Sequence, residues 1–147
     1  MDKDLVYLTQ TDTTVGFLSN NSVVLNSIKK RKLDKQILQE ICSFKELQNF
    51  VRVPNKFKKT VRKLKATTFI YPNNLAFRVV DKQSDHYKFI KKFKKLYSTS
   101  ANITTLDFDL SFAQNCANII VYNCDQFSNN SGSNIYSLYK TKRKKVR

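Results

Sequence analysis

The order of apolar and polar positions predicts a chain in which strands and helices are interspersed. The run from Leu5 to Leu8 predicts a short buried strand that ends near Thr11. Polar residues and a glycine at positions 13–16 then predict a tight turn or a helix start. Val23, Val24, Leu25 and Ile28 recur at helical spacing, so a helix is predicted to lead into the basic segment 29–32.

Two further helices are predicted from a cap and from a proline. Ser43 and Glu46 form a capping box. Pro54 is placed to open a helix whose apolar stripe includes Phe57 and Val61. The other face of that helix is rich in lysine, which is typical of a solvated surface and also compatible with an RNA footprint.

The second half of the chain repeats this mixture of elements. Runs 67–71 and 75–80 predict paired strands joined by a turn at 72–74. Helices are predicted over 87–93 and 110–116, and strands over 97–99, 119–121 and 135–139. This mixture predicts an α/β or α+β fold, with a sheet covered by helices. We expect one domain over 1–139, a polar loop at 128–133 and a disordered basic tail at 140–147.

Length and composition narrow the class of protein. A chain of 147 residues with 41% hydrophobic residues fits one domain with its own core. No apolar run is long enough to cross a bilayer, and residues 1–4 lack the layout of a secretion signal, so we expect a cytoplasmic protein with no membrane partner. Three separated cysteines, Cys42, Cys116 and Cys124, favour reduced thiols over a disulfide scaffold.

The net charge of +16 favours a polyanionic partner. Nucleic acids and nucleotides are the usual cytoplasmic candidates, whereas the alternative is a solubility effect of a lysine-rich composition. The positive charges are clustered, and this favours anion binding. The clusters lie at 29–32, 56–65, 88–95 and 140–147.

Two short polar segments could bind phosphate. Lys29 and Arg31 combine a point charge with a forked guanidinium, although the same residues fit an ordinary solvated charge run. Ser100 and Asn102 follow a predicted strand, where hydroxyl, amide and backbone N–H groups can surround a phosphate. An ordinary loop or helix cap would explain this second pair equally well.

Three other positions remain open on local sequence alone. Arg78 interrupts an apolar strand, so it either faces inward toward an anionic partner or forms the polar half of an alternating strand. Thr11 and Thr13 could contact a ligand or simply cap a helix. The single histidine, His86, lies in a polar segment and is expected at the surface or in a helix cap.

The composition argues against several enzyme classes. One histidine and no clustered cysteines give no support to a zinc hydrolase or a Ser-His-Asp enzyme. With only two glycines, there is neither a Walker-type loop nor a dinucleotide-binding fingerprint. Any chemistry on ATP would therefore depend on side-chain clamps.

Six segments, taken in order, resemble the motifs of the YrdC-like family, whose best-known members are threonylcarbamoyl-AMP synthases. The resemblance covers nearly the whole chain, but prolines of the family pattern are replaced at Gln10, Lys32, Gln36 and Val80. Members of the family often carry a histidine on the strand after the Lys-x-Arg motif. That histidine has no counterpart in this chain, where Glu40 lies near the position. The segments are 10–17 (QTDTTVGF), 29–32 (KKRK), 68–72 (TFIYP), 76–80 (AFRVV), 98–102 (STSAN) and 132–135 (GSNI).

The resemblance implies a twisted, mixed parallel and antiparallel sheet with a concave basic face. It implies that ATP phosphates are held by Lys29, Arg31, Ser100 and Asn102, with Lys35 as an additional contact. It also implies that L-threonine is held by Thr11, Arg78, Ser98 and Ser133. The implied reaction joins L-threonine, bicarbonate and ATP, with Mg²⁺, into threonylcarbamoyl-AMP and pyrophosphate. The product would pass to a transferase complex that modifies tRNA.

Two alternatives compete with this enzymatic interpretation. The charge, the basic tail and the lost prolines would suit a non-catalytic protein of the same fold that binds double-stranded RNA or tRNA. A third interpretation is a basic ribosome-associated or structural protein in which the motifs are remnants.

Overall fold

The structure is a computed structural model that describes residues 1–122, 127–128 and 131–147. In these ranges the chain forms nine strands, five α-helices and one 3₁₀ turn at Asn55–Phe57. The helices are α1 (Ser22–Ile28), α2 (Phe44–Leu47), α3 (Lys58–Lys63), α4 (Asp85–Phe93) and α5 (Leu110–Cys116). The strands are β1 (Tyr7–Gln10), β2 (Val15–Ser19), β3 (Gln39–Ile41), β4 (Thr67–Ile70), β5 (Ala76–Val79), β6 (Lys95–Ser100), β7 (Ile119–Val121), β8 (Asn134–Leu138) and β9 (Arg143–Lys145).

All nine strands join one mixed sheet in the order β7-β1-β2-β6-β3-β5-β4-β8-β9. Three neighbouring pairs are parallel, namely β1 with β7, β3 with β5, and β4 with β8. The other pairs are antiparallel. This architecture confirms the predicted α/β fold with a mixed sheet flanked by helices.

The helices cover the two faces of the sheet unequally. Side chains alternate between the two faces of the sheet along a strand. On one face, Phe17 packs in a hydrophobic core with residues of α1 and α5. On the same face, Phe77 packs in a second hydrophobic core with residues of α2 and α3. On the opposite face, a third core joins Leu96 to Phe89 and Ile90 of α4. That opposite face is open beside α4, and its polar side chains line a cavity.

Local signals predicted the helices well. Asn21 caps α1, and the Ser43 side chain accepts a hydrogen bond from the backbone N–H of Glu46, as the capping box predicted. Helix α5 has the predicted bounds. Because Pro54 precedes a 3₁₀ turn, α3 itself begins later, at Lys58.

The sequence analysis missed one strand. Residues 13–16 were predicted as a tight turn or a helix start, and a tight turn does end at Thr14. No helix follows, because the chain leads directly into β2, all of whose residues are buried. β2 pairs with β1 as a hairpin and with β6 on its other side. A strand buried on both faces lacks the polar–apolar alternation that marks a half-exposed strand.

The basic tail was expected to be disordered, but part of it forms a strand. Residues Arg143–Lys145 form β9, which pairs with β8 at the edge of the sheet. The three side chains are exposed, so backbone hydrogen bonds rather than apolar burial hold this strand. The division between a domain at 1–139 and a tail at 140–147 stays a prediction.

Two other expectations concern the membrane and the cysteines. Among the described residues, no helix has the length and apolar character needed to cross a membrane. Cys42 is buried and Cys116 is partly buried, and both are free thiols as predicted. Cys124 and part of the predicted loop at 128–133 lie outside the described residues.

Candidate functional site

A cavity of about 560 Å³ opens on the polar face of the sheet beside α4. Its lining brings together residues that are far apart in sequence, from the β1–β2 turn, the end of α1, and strands β4, β5, β6 and β8. Eight of the nine predicted site residues line it: Thr11, Lys29, Arg31, Arg78, Ser98, Ser100, Asn102 and Ser133.

Lys29 and Arg31 reach the same cavity because the chain turns sharply between them. Side chains two residues apart on a continuous helix point in different directions. Lys29 is the C-cap of α1, and Lys30 adopts a left-handed conformation with φ of 51°. The helix therefore ends at Lys29, and both cations line one wall.

The Lys29 ammonium is buried among oxygen atoms. Its Nζ lies 2.9 Å from the carbonyl oxygen of Ser100 and 2.9 Å from Asn102 Oδ1, and it also contacts Ser100 Oγ and the Asn102 carbonyl. Burial, together with the positive charges of Arg31 and Lys35, lowers the pKa of Lys29 to about 8. The ammonium therefore organises the 100–102 segment while remaining mostly protonated at neutral pH.

Arg31 supplies the more available donors of this wall. Its Nε donates to Asn26 Oδ1 at 2.6 Å, and the Asn26 amide in turn donates to two backbone carbonyls of the following loop. Within the described part of the chain, no partner occupies the two terminal nitrogens of Arg31. The guanidinium is thus fixed at its base, with four N–H groups left for an anion.

Hydroxyl groups form another part of the cavity lining. Thr11 Oγ1 donates to the carbonyl of Thr14 at 2.7 Å and so closes the β1–β2 turn. Thr68 Oγ1 and Ser133 Oγ share a hydrogen bond of 3.0 Å. Ser98 Oγ donates to Glu40 Oε1 at 2.8 Å. These contacts fix small polar groups around a space suited to a small polar ligand.

Arg78 faces inward, and this resolves the alternative left open by the sequence. Its side chain is 3% exposed and forms an ion pair with Glu40 on the neighbouring strand β3. Its Nη1 donates to Thr13 Oγ1 at 2.9 Å, and its Nε lies 3.2 Å from Asp12 Oδ1. The charge of this buried guanidinium is balanced by the two carboxylates, although its Nε and both Asp12 oxygens have no hydrogen bond within the described part of the chain. Arg78 forms the floor of the cavity.

His86 was predicted to lie at the surface or in a helix cap, but it is buried. It is 2% exposed, and its Nε2 is hydrogen-bonded to Glu40 Oε2. Burial would raise the pKa of Glu40, but the charges of Arg78 and His86 and the hydrogen bonds from His86 and Ser98 hold it well below its ordinary value. Burial and the charge of Glu40 raise the pKa of Asp12, against the opposing charges of Arg78 and His86.

Sequence reasoning missed the central role of Glu40, although a signal was present. Glu40 lies with Gln39 between two apolar pairs, at 37–38 and 41–42, whereas Arg78 alone interrupts an apolar run in β5. Two opposite charges, each within a buried strand, indicate a buried ion pair. The signal could not identify His86 as the third member, because its polar neighbours concealed its burial.

Two further cations are Lys35, which the resemblance implied as an additional ATP contact, and Arg147, which the sequence did not indicate. Lys35 is exposed and does not line the cavity, although its charge lowers the pKa of Lys29. Arg147 does line it, and its guanidinium donates to the Ser133 carbonyl from Nε at 3.2 Å and from Nη2 at 3.0 Å. The pairing of β9 with β8 brings this arginine to the cavity.

Comparison by sequence finds no relative of this chain: no protein-family model matches it, and no curated protein matches it.

Comparison by structure finds several. The structure of P. abyssi Sua5 complexed with L-threonine matches with a TM-score of 0.78 and 15% sequence identity, covering 97% of this chain and 50% of that chain. E. coli YciO matches with a TM-score of 0.76 and 13% identity, covering 99% of this chain and 83% of that chain. Full-length HypF in its phosphate- and nucleotide-bound form matches with a TM-score of 0.75 and 13% identity, covering 97% of this chain and 26% of that chain.

These similarities establish the fold of the chain. It has the YrdC/Sua5-like fold, as the six sequence segments implied. The chain spans about half the length of the Sua5 chains that it matches.

Proposed function

We propose that the protein is an L-threonylcarbamoyl-AMP synthase that uses L-threonine, bicarbonate and ATP to supply tRNA modification. The observation that carries the proposal is the convergence of Lys29, Arg31, Ser100 and Asn102 in one cavity that is also lined with hydroxyl groups. Such a cavity offers cations for phosphates, and it offers hydroxyl groups together with Arg78 and Arg147 for an amino acid and its carboxylate. The P. abyssi Sua5 of the same fold binds L-threonine, and HypF binds phosphate and nucleotide.

In the proposed reaction, the amino group of L-threonine attacks the carbon of bicarbonate, and water leaves with the amine proton and the displaced hydroxyl group, which gives a carbamate. An oxygen of that carbamate group then attacks the α-phosphorus of ATP. The bond between that phosphorus and the oxygen bridging to the β-phosphate breaks, and pyrophosphate leaves with the electron pair. Arg31 binds the phosphates through its free N–H groups, and Lys29 holds Ser100 and Asn102 in position beside them. Since the transferred group carries spread negative charge, fixed cations near it lower the barrier.

At the other end, Thr11, Ser98 and Ser133 would contact L-threonine. Arg78 would contribute a contact to the threonine carboxylate from N–H groups that Thr13 and Glu40 leave free. Lys35 would act from outside the cavity, as an additional charge toward the nucleotide.

The residues around the cavity also indicate how Mg²⁺ would enter. Within the described lining there is no Asp or Glu side chain to coordinate it. Mg²⁺ is commonly carried by substrate phosphates, so it would arrive bound to ATP and neutralise phosphate charge there. The product would pass to a transferase complex acting on tRNA, which places the reaction in the cytoplasm.

The test of this proposal is pyrophosphate release by the purified protein with MgATP. We expect release only when L-threonine, bicarbonate and ATP are all present. Omitting each in turn is the control, and L-serine in place of L-threonine tests the amino-acid end. Binding of ATP without release of pyrophosphate would argue for a different acceptor. The absence of both ATP binding and pyrophosphate release would reject the proposal.

A pH profile tests the role of the Lys29 charge. The affinity for MgATP should fall as the pH rises through about 8, because the buried ammonium loses its proton there. Titration calorimetry between pH 6.5 and 9.5 measures this directly. The decline should persist in Lys32→Ala, which removes a nearby exposed charge, and should vanish in Lys29→Arg, whose guanidinium stays charged. An affinity that stays constant in the unmodified protein would remove Lys29 from the phosphate site.

A further inference from the structure

A second depression, of about 950 Å³, lies on the opposite face of the sheet from the proposed active site. Adjacent residues of β5 show this, because Arg78 lines the first cavity while Phe77 packs against Phe50 and Tyr71, which line the second. We call this second depression the aromatic groove. Its walls are the segment from Gln48 to Lys56, the turn after β4, and the turn that joins β8 to β9.

The aromatic groove exposes two large rings that do not belong to a core. Tyr139, in the β8–β9 turn, is 46% exposed, and Phe50, after α2, is 43% exposed. Phe50 stacks on Phe77 with 5.7 Å between ring centroids, so it is rigidly held as an apolar wall. Tyr139 protrudes more freely and offers a platform for a flat ligand.

Positive charges surround these rings. Arg52, Lys56 and Lys140 line the groove, and among the described residues the lining contains no Asp or Glu. The Nζ of Lys142 lies 5.6 Å from the centre of the Tyr139 ring. Lys56 Nζ donates to the carbonyl of Thr141 at 3.0 Å, which ties the two walls together. Four cations around two rings form an electropositive surface with apolar platforms.

One buried polar atom of the groove lacks a partner. Tyr71 lines the groove and is 2% exposed, and its hydroxyl has no hydrogen-bond partner within the described part of the chain. Buried hydroxyl groups are normally hydrogen-bonded. A ligand with polar edges that entered the groove beside Tyr71 would supply the missing partner.

We propose that the aromatic groove binds an unpaired segment of RNA. Bases stack on exposed aromatic rings, and lysine and arginine side chains follow the phosphates of a single strand. An unpaired base also presents polar edges that a tyrosine hydroxyl can reach. A duplex keeps its bases stacked inside and cannot use Tyr139 in this way. This proposal does not depend on the proposed synthase activity, because the two sites lie on opposite faces of the sheet.

Fluorescence anisotropy with a labelled single-stranded RNA of mixed sequence tests the proposal on the full chain. An RNA of about 20 nucleotides exceeds the roughly 4–16 nucleotides that single-strand binding sites cover. Tyr139→Ala is expected to weaken binding about tenfold, the typical loss when one stacking aromatic side chain is removed. Lys140→Ala should also reduce the slope of log affinity against log salt by about 0.7, the value for one phosphate contact to a single strand.

Matched variants separate the groove from general electrostatic attraction. Tyr122→Ala removes a tyrosine that is 67% exposed and lies outside the groove, and Lys91→Ala removes an exposed lysine of α4. Both should retain the affinity of the unmodified protein. Tyr139→Ala should also leave MgATP affinity unchanged, since Tyr139 does not line the first cavity.

Three results would overturn the proposal. The first is equal loss of affinity in Tyr139→Ala and Tyr122→Ala. The second is tighter binding of the blunt-ended duplex of the same sequence than of the single strand. The third is competition by a free mononucleotide as effective as that by the RNA at equal nucleotide concentration, which would identify a nucleotide site instead. Ultraviolet crosslinking of the RNA to Tyr139 or Phe50 would support it.

Discussion

Lys29→Ala and Arg31→Ala should each reduce threonine-dependent pyrophosphate release by about 100-fold to 1000-fold, the range seen when a preorganised charge-stabilising donor is removed. Lys29 contacts both Ser100 and Asn102, so its loss removes a cation and also releases the segment that faces the phosphates. Arg31 keeps four N–H groups free of described partners, so its loss removes phosphate contacts without disturbing that segment.

Lys32→Ala is the matched control for both variants. Lys32 carries the same charge in the same basic run but is exposed and does not line the cavity. It should therefore retain nearly full activity, and thermal unfolding should show that all three variants are folded. If Lys29→Ala and Arg31→Ala turned over as fast as Lys32→Ala, the assignment of the phosphate site would be wrong. If none of the proteins released pyrophosphate, the failure would lie in the proposed reaction instead.

Glu40→Ala should lower the free energy of unfolding by about 3–5 kcal/mol, because it leaves a buried charge without its partner. Glu40 is fully buried and pairs with both Arg78 and His86. Folding lowers the pKa of Glu40 from its ordinary value of 4.5. The ionised carboxylate therefore makes its full contribution to the free energy of unfolding above pH 4.5, and this contribution is lost as the pH falls toward the lower pKa of the folded state. Urea unfolding at pH 7 and at pH 4 measures both effects.

Two companion variants show whether the loss comes from the ion pair. Glu46→Ala removes an acid from the first turn of α2, where a charge is worth at most about 1 kcal/mol. The double variant Glu40→Ala with Arg78→Ala should lose less than the sum of the two single variants, because neither charge is then left alone. Strict additivity would mean that Glu40 and Arg78 do not stabilise one another.

The candidate site shows where sequence reasoning succeeded. Short motifs predicted eight residues that the fold brings to one cavity. Arg78 was recognised as unusual because a charge within an apolar strand requires a partner if it faces inward. Its partner was not identified, since Glu40 and Arg78 are 38 residues apart and meet only through the parallel pairing of β3 with β5.

Sequence reasoning failed where neighbours along the chain carry no information about burial. His86 has polar neighbours, yet α4 turns it toward Glu40, which lies 46 residues away. The tail looked disordered because it is almost entirely basic, yet a strand at the edge of a sheet needs only backbone partners, and β8 provides them. That same pairing brings Arg147 to the cavity and sets Tyr139 in the turn beside Lys56.

The sequence by itself determined the local features of this protein: the caps of α1 and α2, the hairpin of β4 and β5, the positive charge and the motifs of the cavity. These depend on residues within a few positions of one another, where propensity, capping and turn chemistry act. Only the tertiary structure decided that Glu40 joins Arg78 and His86, that the turn at Lys30 brings Lys29 and Arg31 to one cavity, and that an aromatic groove forms on the other face. Those features depend on strand order and register, which bring together side chains from distant parts of the chain.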